Sequence, residues 1–379
     1  MLSEMEQDLA GRALEVLMKV ILTIIKILFI LILILALAVG TGLGLLTIFQ
    51  YNPDDTENVV LTGQSENSPE QGKPFRIMTW NIGYGALGDN ADFFMDGGKM
   101  VNTADEERVR YNLDGITEGI IEDNADIYML QEVDRDADRS HNIDEAAEIT
   151  NALAEIEDKS YQTMFANNFK ALFVPFPIPP IGKVNSGIYT ASDFRCQRAD
   201  RIQLPSPFKW PVSTANFKRC LLVTRIRLSG SSRYLVLINA HLEGYDVEDG
   251  SGKEAQTKVL MDVMQKEYDD GNYVIVGGDF NQTFNDVDTA DYPVYEGTWQ
   301  PGTLDVDEFI PEFIPAMDPV VPTCRSLDKV YDKANDEHQF YMTDGFIYSK
   351  NVRMNSIETK DLEFEYSDHN PVVAEFELK

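Results

Sequence analysis

The segment CLLVTRIRLSGSSRYLVLINAHL (residues 220–242) contains two apolar runs that are separated by the short polar sequence SGSS. Runs of this length and composition are typical of buried strands, and a short connection rich in Gly and Ser between two such runs predicts a hairpin. The two strands are therefore expected to pair antiparallel. This pair alone disfavours a purely parallel, doubly wound sheet and indicates a mixed one.

The segments before and after this hairpin alternate between strand and helix patterns. FRIMTWNI (75–82) and ADIYMLQEVD (125–134) have strand character, and between them the apolar residues of 109–120 recur at helical spacing. This order predicts a β-α-β unit. Further strands are predicted at SGIYTAS (186–192), NYVIVGGDFN (272–281), DGFIYS (344–349) and VVAEFEL (372–378), with a helix at about 253–268.

Three glycines in MTWNIGYGALGDN (78–90), namely Gly83, Gly85 and Gly88, have the spacing of a dinucleotide-binding fingerprint. That fingerprint requires the last glycine to begin a helix whose amides face a pyrophosphate. Here the polar sequence of residues 89–107 follows, which predicts a long loop instead. The glycines are better explained as a sharp turn beside Asn81.

The N-terminal region contains an uncharged apolar run at residues 27–49. At about 1.5 Å per residue this run reaches roughly 34 Å, which is enough to span a bilayer, so we predict a transmembrane helix. Basic residues precede the run and the next one after it is Lys73, which predicts that residues 1–26 are cytoplasmic. A cleaved signal peptide is the alternative, because Ala36 and Ala38 form an A-x-A pattern, but the run exceeds the usual apolar region of about 7 to 15 residues.

Residues 50–73 are polar and are interpreted as a linker, which leaves residues 74–379 as one large extracytoplasmic domain. The net charge of −31 repels polyanions, so a polyanionic substrate would need a local basic site or a bound cation. Cys196, Cys220 and Cys324 have no paired spacing and are interpreted as buried free thiols.

Polar residues stand where several predicted strands end. They are Asn81, Glu132, His241, Asp279 with Asn281, Asp344, and the pair Asp368 and His369. Each has a plain alternative: an ion pair of Glu132 with Arg135, a hydrogen-bonded core histidine at His241, or turn residues at the Asp and Asn positions. Strand ends far apart in sequence converge on one cleft in many proteins, and six such ends favour a shared site.

These residues lie in motifs that resemble the endonuclease/exonuclease/phosphatase superfamily. The matching pieces are TWNI, LQEVD, NSGIYTAS, NAHLEGYD, GGDFNQTF, TDGFIYS and YSDHNPV, which follow family order between Pro74 and Lys379. The resemblance implies a four-layer α/β sandwich, with two mixed β-sheets packed face to face and flanked by helices, preceded here by the transmembrane helix.

The resemblance also implies roles in metal-assisted phosphoester hydrolysis. Glu132 would be the principal ligand of Mg²⁺, with Mn²⁺ as the alternative ion, and Asn81 and Asp368 would lie beside it. His369 would act on the attacking water or on a phosphoryl oxygen, and Asp344 would orient it. Asp279 is the second candidate base, while Asn281 and His241 would donate hydrogen bonds to the phosphate. The choice of base between Asp279 and His369 stays open.

The implied function is a membrane-anchored phosphodiesterase of the endonuclease type. Hydrolysis of phospholipid head groups, as by a sphingomyelinase, or of inositol phosphates is the alternative. A catalytically silent binding module is a third reading, whose mark would be substitution of the metal carboxylate or the His-Asp pair, and neither is substituted. No protein partner is implied.

Two sequence features bear on the substrate. Basic residues gather in residues 183–233, as a phosphate-binding rim or as a solvated sheet face: Lys183, Arg195, Arg198, Arg201, Lys209, Lys218, Arg219, Arg225, Arg227 and Arg233. FKALFVPFPIPPIGK (169–183) is a proline-rich segment with three phenylalanines. If this segment is exposed, its aromatic side chains would contact a bilayer or stack on nucleotide bases. If it packs inward, it would cover the core of the domain.

Overall fold

The computed structural model describes residues 2–245, 251–292, 294–309, 311–334 and 338–379, without the side chains of residues 2–4 and 251. The chain forms two compact units, residues 1–50 and 51–379. The first contains helix α1 (Leu2–Ile48), of which Met5–Ile48 is long and apolar enough to cross a membrane. A signal sequence near the N-terminus meets the same criterion. Asp246, the last residue of the NAHLEGYD motif, lies outside the described residues.

The second unit contains three α-helices and seventeen strands among its described residues. The helices are α2 (Glu106–Asp123), α3 (Glu145–Leu153) and α4 (Ser251–Asp269). The strands are β1 (Thr56–Val59), β2 (Pro74–Asn81), β3 (Ile127–Asp134), β4 (Gln162–Val174), β5 (Gly182–Ser192), β6 (Cys196–Gln203), β7 (Cys220–Arg227), β8 (Tyr234–His241), β9 (Tyr273–Asp279), β10 (Gln282–Phe284), β11 (Gly302–Leu304), β12 (Phe313–Ala316), β13 (Cys324–Arg325), β14 (Phe340–Tyr341), β15 (Asp344–Ser349), β16 (Val352–Thr359) and β17 (Val372–Leu378).

Most of the strands form two large mixed sheets. The six-stranded sheet has the order β16-β17-β2-β3-β5-β4, and the seven-stranded sheet has the order β1-β6-β7-β8-β9-β15-β12. Each contains one parallel pair, β2 with β3 and β8 with β9, whose strands are joined through α2 and α4 respectively. The β7–β8 pair is antiparallel, which confirms the hairpin predicted from residues 220–242.

The two sheets pack face to face because their strands alternate apolar side chains between opposite faces. Ile77 of β2 and Ile275 of β9 belong to the cluster between the sheets. Their neighbours point outward: Met78 packs in the cluster that includes α2 and α3, and Val276 packs in the cluster that includes α4. Helices therefore cover both outer faces, and the predicted four-layer α/β sandwich is confirmed.

Part of the segment interpreted as a linker, residues 50–73, is built into the fold. Strand β1 pairs antiparallel with β6 at the edge of the seven-stranded sheet, and Thr62 bridges to Thr163 of β4. The side chains of β1 alternate between exposed and half-buried. An edge strand needs no continuous apolar run, so the polar composition of β1 gave no sign of a strand in the sequence.

Candidate functional site

Three of the predicted site residues lie side by side on adjacent strands of the seven-stranded sheet. His241 ends β8, Asp279 ends β9 and Asp344 begins β15, and the strand register places His241 and Asp344 on either side of Asp279. The Nε2 atom of His241 is 3.5 Å from Oδ2 of Asp279. All three side chains are buried. Regular pairing of three strands thus fixes their spacing.

Asn81 and Glu132 reach the same point from the six-stranded sheet. Asn81 ends β2, and its Nδ2 donates to Oδ2 of Asp279 at 3.1 Å and, more weakly, to Oε1 of Glu132 at 3.5 Å. Glu132 lies where the β3–β5 register shifts between Leu130 and Val133, and its φ is 55°. A left-handed backbone is costly for a residue other than Gly, Asn or Asp. The bulge therefore stores strain at the residue predicted to bind the metal.

The loop after β2 supports Asn81. Gly83 and Gly85 both have positive φ, and the Gly83 N–H donates to Oδ1 of Asn81 at 3.1 Å. A short 3₁₀ turn (Gly83–Gly85) follows, and α2 begins only at Glu106. The absence of a helix at the glycines is inconsistent with a dinucleotide fingerprint. It agrees with the predicted turn beside Asn81.

The C-terminal pair Asp368 and His369 completes the cluster from the segment before β17. Nδ1 of His369 donates to Oδ2 of Asp344 at 2.8 Å, while its Nε2 lies 3.9 Å from Oδ2 of Asp279. Trp80 Nε1 donates to the His369 carbonyl at 2.8 Å, which fixes the backbone. Ligand atoms of Asp368, His369 and Cys324 lie within 4.8 Å of one another.

Asn281 is held tightly beside these groups. Its φ is 51°, its backbone N–H donates to Oδ1 of Asp279 at 2.8 Å, and its Nδ2 donates to the Leu242 carbonyl at 2.9 Å. Seven of the eight predicted site residues line one cavity of about 280 Å³. The eighth, Asp344, lies behind His369 and contacts it. The structure thus brings all eight predicted residues together.

Burial and mutual repulsion determine the ionisation of the site. Burial, together with the charge of Asp344, raises the pKa of Asp279 to about 7, and burial raises the pKa of Asp368 to about 6. Burial lowers the pKa of His241 well below its ordinary value. For His369 burial acts in the same direction, but Asp344, Cys324 and Asp279 together outweigh it, and the pKa is raised well above the ordinary value.

The donor set fits a hard divalent cation. Four carboxylates line the cavity, those of Glu132, Asp279, Asp368 and Asp96, together with amide groups such as that of Asn81. Of the three arginines that line the cavity, Arg139 pairs with Asp134 and Arg219 with Glu243. The third, Arg325, donates to the carbonyl oxygens of Gly88 and Ser326. Oxygen ligands of this kind are those that Mg²⁺ and Mn²⁺ prefer. A cation would stabilise the charged form of Asp279 and Asp368, which burial disfavours.

The alternative explanation of Glu132 as a structural ion-pair partner does not hold. Arg135 pairs with Asp144 at 3.4 Å, and the Glu132 side chain, about 21% exposed, faces His241 Nε2 at 3.8 Å. The three cysteines are free and buried, as predicted.

Sequence reasoning missed several residues of the cavity. Arg139 makes a two-point contact with Asp134 and lies 3.6 Å over the ring of Tyr84, so it links the end of β3 to the turn that follows β2. Asp96 accepts a hydrogen bond from Tyr245 at 2.8 Å, and burial raises its pKa to about 7. Arg139 could have been predicted because it follows the LQEVD motif closely. Asp96 could not, because it lies in a polar loop that has no periodic pattern.

The model of the endonuclease/exonuclease/phosphatase family matches residues 78–369. The chain belongs to the endonuclease/exonuclease/phosphatase family. Enzymes of this family are typically phosphoester hydrolases and generally depend on divalent metal ions. Comparison with the curated proteins gives no significant match.

Solved structures of family members share the fold. A family protein from Beutenbergia cavernae is 19% identical with a TM-score of 0.55, covering 81% of this chain and 72% of that chain. A family protein from Bacteroides vulgatus is 18% identical with a TM-score of 0.50, covering 81% and 100%. ANGEL2, described as a 2',3'-cyclic phosphatase in complex with adenosine-2',3'-vanadate, is 14% identical with a TM-score of 0.51, covering 84% and 99%.

Proposed function

We propose that this protein is a membrane-anchored, divalent-metal-dependent phosphoester hydrolase, and that it cleaves phosphodiesters by in-line attack of water on phosphorus. The observation that carries the proposal is the convergence on Oδ2 of Asp279, which lies within 3.9 Å of Asn81 Nδ2, His241 Nε2 and His369 Nε2. Three chain segments far apart in sequence supply these atoms. Such convergence of carboxylates, amides and imidazoles at a cavity suits phosphoryl transfer.

Glu132, with Asn81 and Asp368, would hold Mg²⁺ or Mn²⁺. The strained bulge presents the Glu132 carboxylate to the cavity, where the described residues that face its oxygens are the weak donor Asn81 and the imidazole of His241. A bound ion of this kind supplies positive charge to phosphoryl oxygens and acidifies water.

The other residues have roles that follow from their contacts. Asp279 and His369, whose facing atoms are 3.9 Å apart, are the two candidates for taking the proton of the attacking water. Asp344 accepts from Nδ1 of His369 and so holds Nε2 toward the cavity. His241 and Asn281 donate to phosphate oxygens, and neutral His241 retains one N–H for this purpose.

The test is hydrolysis of bis(p-nitrophenyl) phosphate by the full chain in detergent with and without Mg²⁺. Glu132→Ala and His369→Ala should each reduce the rate by several orders of magnitude, with little change in the melting temperature measured without Mg²⁺. Arg135→Ala, which removes an exposed ion pair, is the control and should retain activity. Full activity in either site variant would remove that residue from the site.

The apolar run of residues 27–49, which is helical as far as Ile48, is proposed to span the membrane, with residues 1–26 cytoplasmic and the catalytic domain outside. Its support is the apolar length and the basic residues that precede the span. In sealed cells, external protease should degrade the domain and leave a tag at residue 1 protected. Loss of that tag from the mature protein would instead establish a cleaved signal sequence.

Two features of the structure bear on the proposed substrate. Six basic residues of segment 183–233 lie within 4.0 Å of a carboxylate: Lys183, Arg195, Arg198, Arg201, Arg219 and Arg225. This pairing weakens the case for a polyanion-binding rim. The cavity is also lined by many apolar and aromatic side chains, including Phe176, Phe208 and Trp299. Phospholipid head groups are therefore the second candidate, beside nucleic acid, and parallel assays on plasmid DNA and lipid vesicles distinguish them.

A further inference from the structure

Two neighbouring loops at the mouth of the cavity expose large apolar side chains. The first is the end of the β4–β5 hairpin, where Phe176 is 71% and Ile178 87% exposed. The second is the segment between β6 and β7, where Trp210 is 63% exposed. The end of the hairpin, including the last residues of β4, and the β6–β7 segment are together called the apolar tip here. Its exposed large apolar side chains are Leu172, Phe173, Phe176, Ile178, Trp210 and Val212. They are six of the thirteen exposed large hydrophobic side chains among the described residues of 51–379.

The two loops form one structure. Below the apolar tip, Phe169 and Phe217 contact each other with ring centroids 4.3 Å apart, and the Lys218 N–H donates to the Asn168 carbonyl at 2.7 Å. Phe176 and Phe208, one from each loop, both line the catalytic cavity. A packed base of this kind holds the exposed side chains in place, so their exposure is a property of the fold.

The charge around the apolar tip differs from that of the rest of the chain. The protein has 63 acidic residues in 379, yet residues 160–192 and 202–242 contain none. Lys170 and Lys209 lie within these segments and are exposed. The carboxylates of Asp136 and Asp138 contact the hairpin at Lys183, near its base. An apolar surface whose own segments carry lysines and no acidic residue suits the boundary between lipid head groups and acyl chains, where apolar side chains insert and lysines face the phosphates.

The length of the chain before β1 favours a bilayer as the occupant of this surface. Helix α1 ends at Ile48 and β1 begins at Thr56. The seven residues between them extend about 25 Å at most. If α1 spans the membrane, this short connection keeps the domain close to the bilayer. The high effective concentration of lipid near the apolar tip then lowers the entropy cost of contact.

We propose that the apolar tip inserts into the membrane surface and places the mouth of the catalytic cavity at the lipid–water boundary. The consequence for the substrate, a phosphoester carried by a membrane lipid, rests on the proposed hydrolase function. The membrane contact itself does not depend on catalysis. A second copy of the chain is the competing occupant.

The contact is tested by fluorescence in the full chain. An environment-sensitive dye is attached to the cysteine of Ile178→Cys. The labelling is selective because the three native cysteines are buried. Val320→Cys, labelled in the same way, is the matched control at another exposed apolar position. Both are reconstituted into phosphatidylcholine vesicles with or without brominated acyl chains. We expect at least twofold quenching by brominated lipid at position 178 and none at 320. Equal quenching at both positions overturns the proposal. So does a fluorescence change at position 178 that depends on the number of protein molecules per vesicle and not on brominated lipid, because that result indicates contact with a second copy of the chain.

The substrate consequence has a separate test. Ile178→Ser combined with Trp210→Ser should reduce hydrolysis of a vesicle-borne phosphodiester lipid at least tenfold and leave hydrolysis of bis(p-nitrophenyl) phosphate unchanged. Neither residue lines the cavity. If position 178 is quenched but the wild-type chain hydrolyses neither substrate, the proposed function fails and the membrane contact stands. If both hydrolysis rates fall equally, the lipid-substrate consequence is refuted.

Discussion

The two sheets contribute to the site in different ways. The seven-stranded sheet supplies His241, Asp279 and Asp344 from the ends of strands in regular register, and their side chains are at most 2% exposed. The six-stranded sheet supplies Glu132 from a bulge with φ 55°, and its side chain is about 21% exposed. The three groups from the seven-stranded sheet, the buried half of the site, lie on a regular backbone, whereas Glu132, the open half, has a strained backbone and a side chain that is partly open to the cavity.

This difference suits two kinds of chemistry. Groups that exchange protons or orient them need fixed distances and low solvent access, which a regular ladder provides. A metal ligand must remain reachable by an ion and its water molecules, and a bulge points its carboxylate away from the ladder. The contrast between the halves predicts which substitutions remove metal binding, which remove proton transfer, and which change only stability.

The largest effect should come from the open half. Glu132→Gln keeps the size of the side chain but removes the charge that would hold the ion. We expect activity to fall on the order of 10³-fold or more at millimolar Mg²⁺, because metal assistance supplies several kcal/mol. The rate of bis(p-nitrophenyl) phosphate hydrolysis against Mg²⁺ concentration measures it.

A thermal shift distinguishes loss of the ion from loss of chemistry alone. A ligand at about 100 times its Kd stabilises the folded state by about 2.7 kcal/mol. Mg²⁺ should therefore raise the melting temperature of the wild type and of Asp344→Asn but not of Glu132→Gln. An equal shift in Glu132→Gln would place the ion elsewhere.

In the buried half, Asp279→Asn should reduce activity roughly 10²- to 10⁴-fold while preserving the fold. Its stability effect has a defined sign. Burial raises the pKa of Asp279 from 3.8 to about 7, so the folded state disfavours the carboxylate. The metal-free wild type should therefore lose stability relative to Asp279→Asn as the pH rises from about 4 to 7. Calorimetry in EDTA measures the difference, and a parallel pH dependence in the two proteins would contradict the assignment.

Asp344 should have a smaller effect because it acts through His369. Asp344→Asn is expected to lower kcat about 10- to 100-fold with little change in KM, as positioning partners do. In a His369→Ala background the same substitution should have no further effect, since the imidazole that Asp344 orients is gone. Additive losses would show that Asp344 acts independently of His369.

The fold was predictable where strands are buried on both faces. Residues 220–242 and 272–281 form apolar runs because both sides of these strands meet packed layers. Strands β6 and β16 escaped prediction because they carry many polar side chains, several of them exposed. Edge strands such as β1 and β16 obtain their conformation from pairing with a neighbour, which a single sequence does not display.

The site was predictable as a set of residues but not as a geometry. Asn81, Asp279 and Asp344 stand at strand ends, where the change from apolar to polar sequence marks them. Nothing in LQEVD indicates that Glu132 adopts a left-handed backbone, because the bulge arises from the register of β3 against β5. Asp96 reaches the cavity only through the packing of a long loop, which has no periodic signal.

That bulge gives the smallest predicted effect and the most direct comparison of the two halves. Glu132→Gly should stabilise the metal-free protein by about 1 kcal/mol relative to Glu132→Ala, because Gly adopts φ 55° without steric cost and Ala does not. Both variants lack the carboxylate and should be equally inactive. At Asp279, which ends a regular strand, the order should reverse, since Gly there adds backbone freedom without relieving strain. Chemical denaturation of the four variants measures both differences. If Gly were no better than Ala at position 132, the backbone would not be strained there, and the exposure of Glu132 alone would distinguish the two halves.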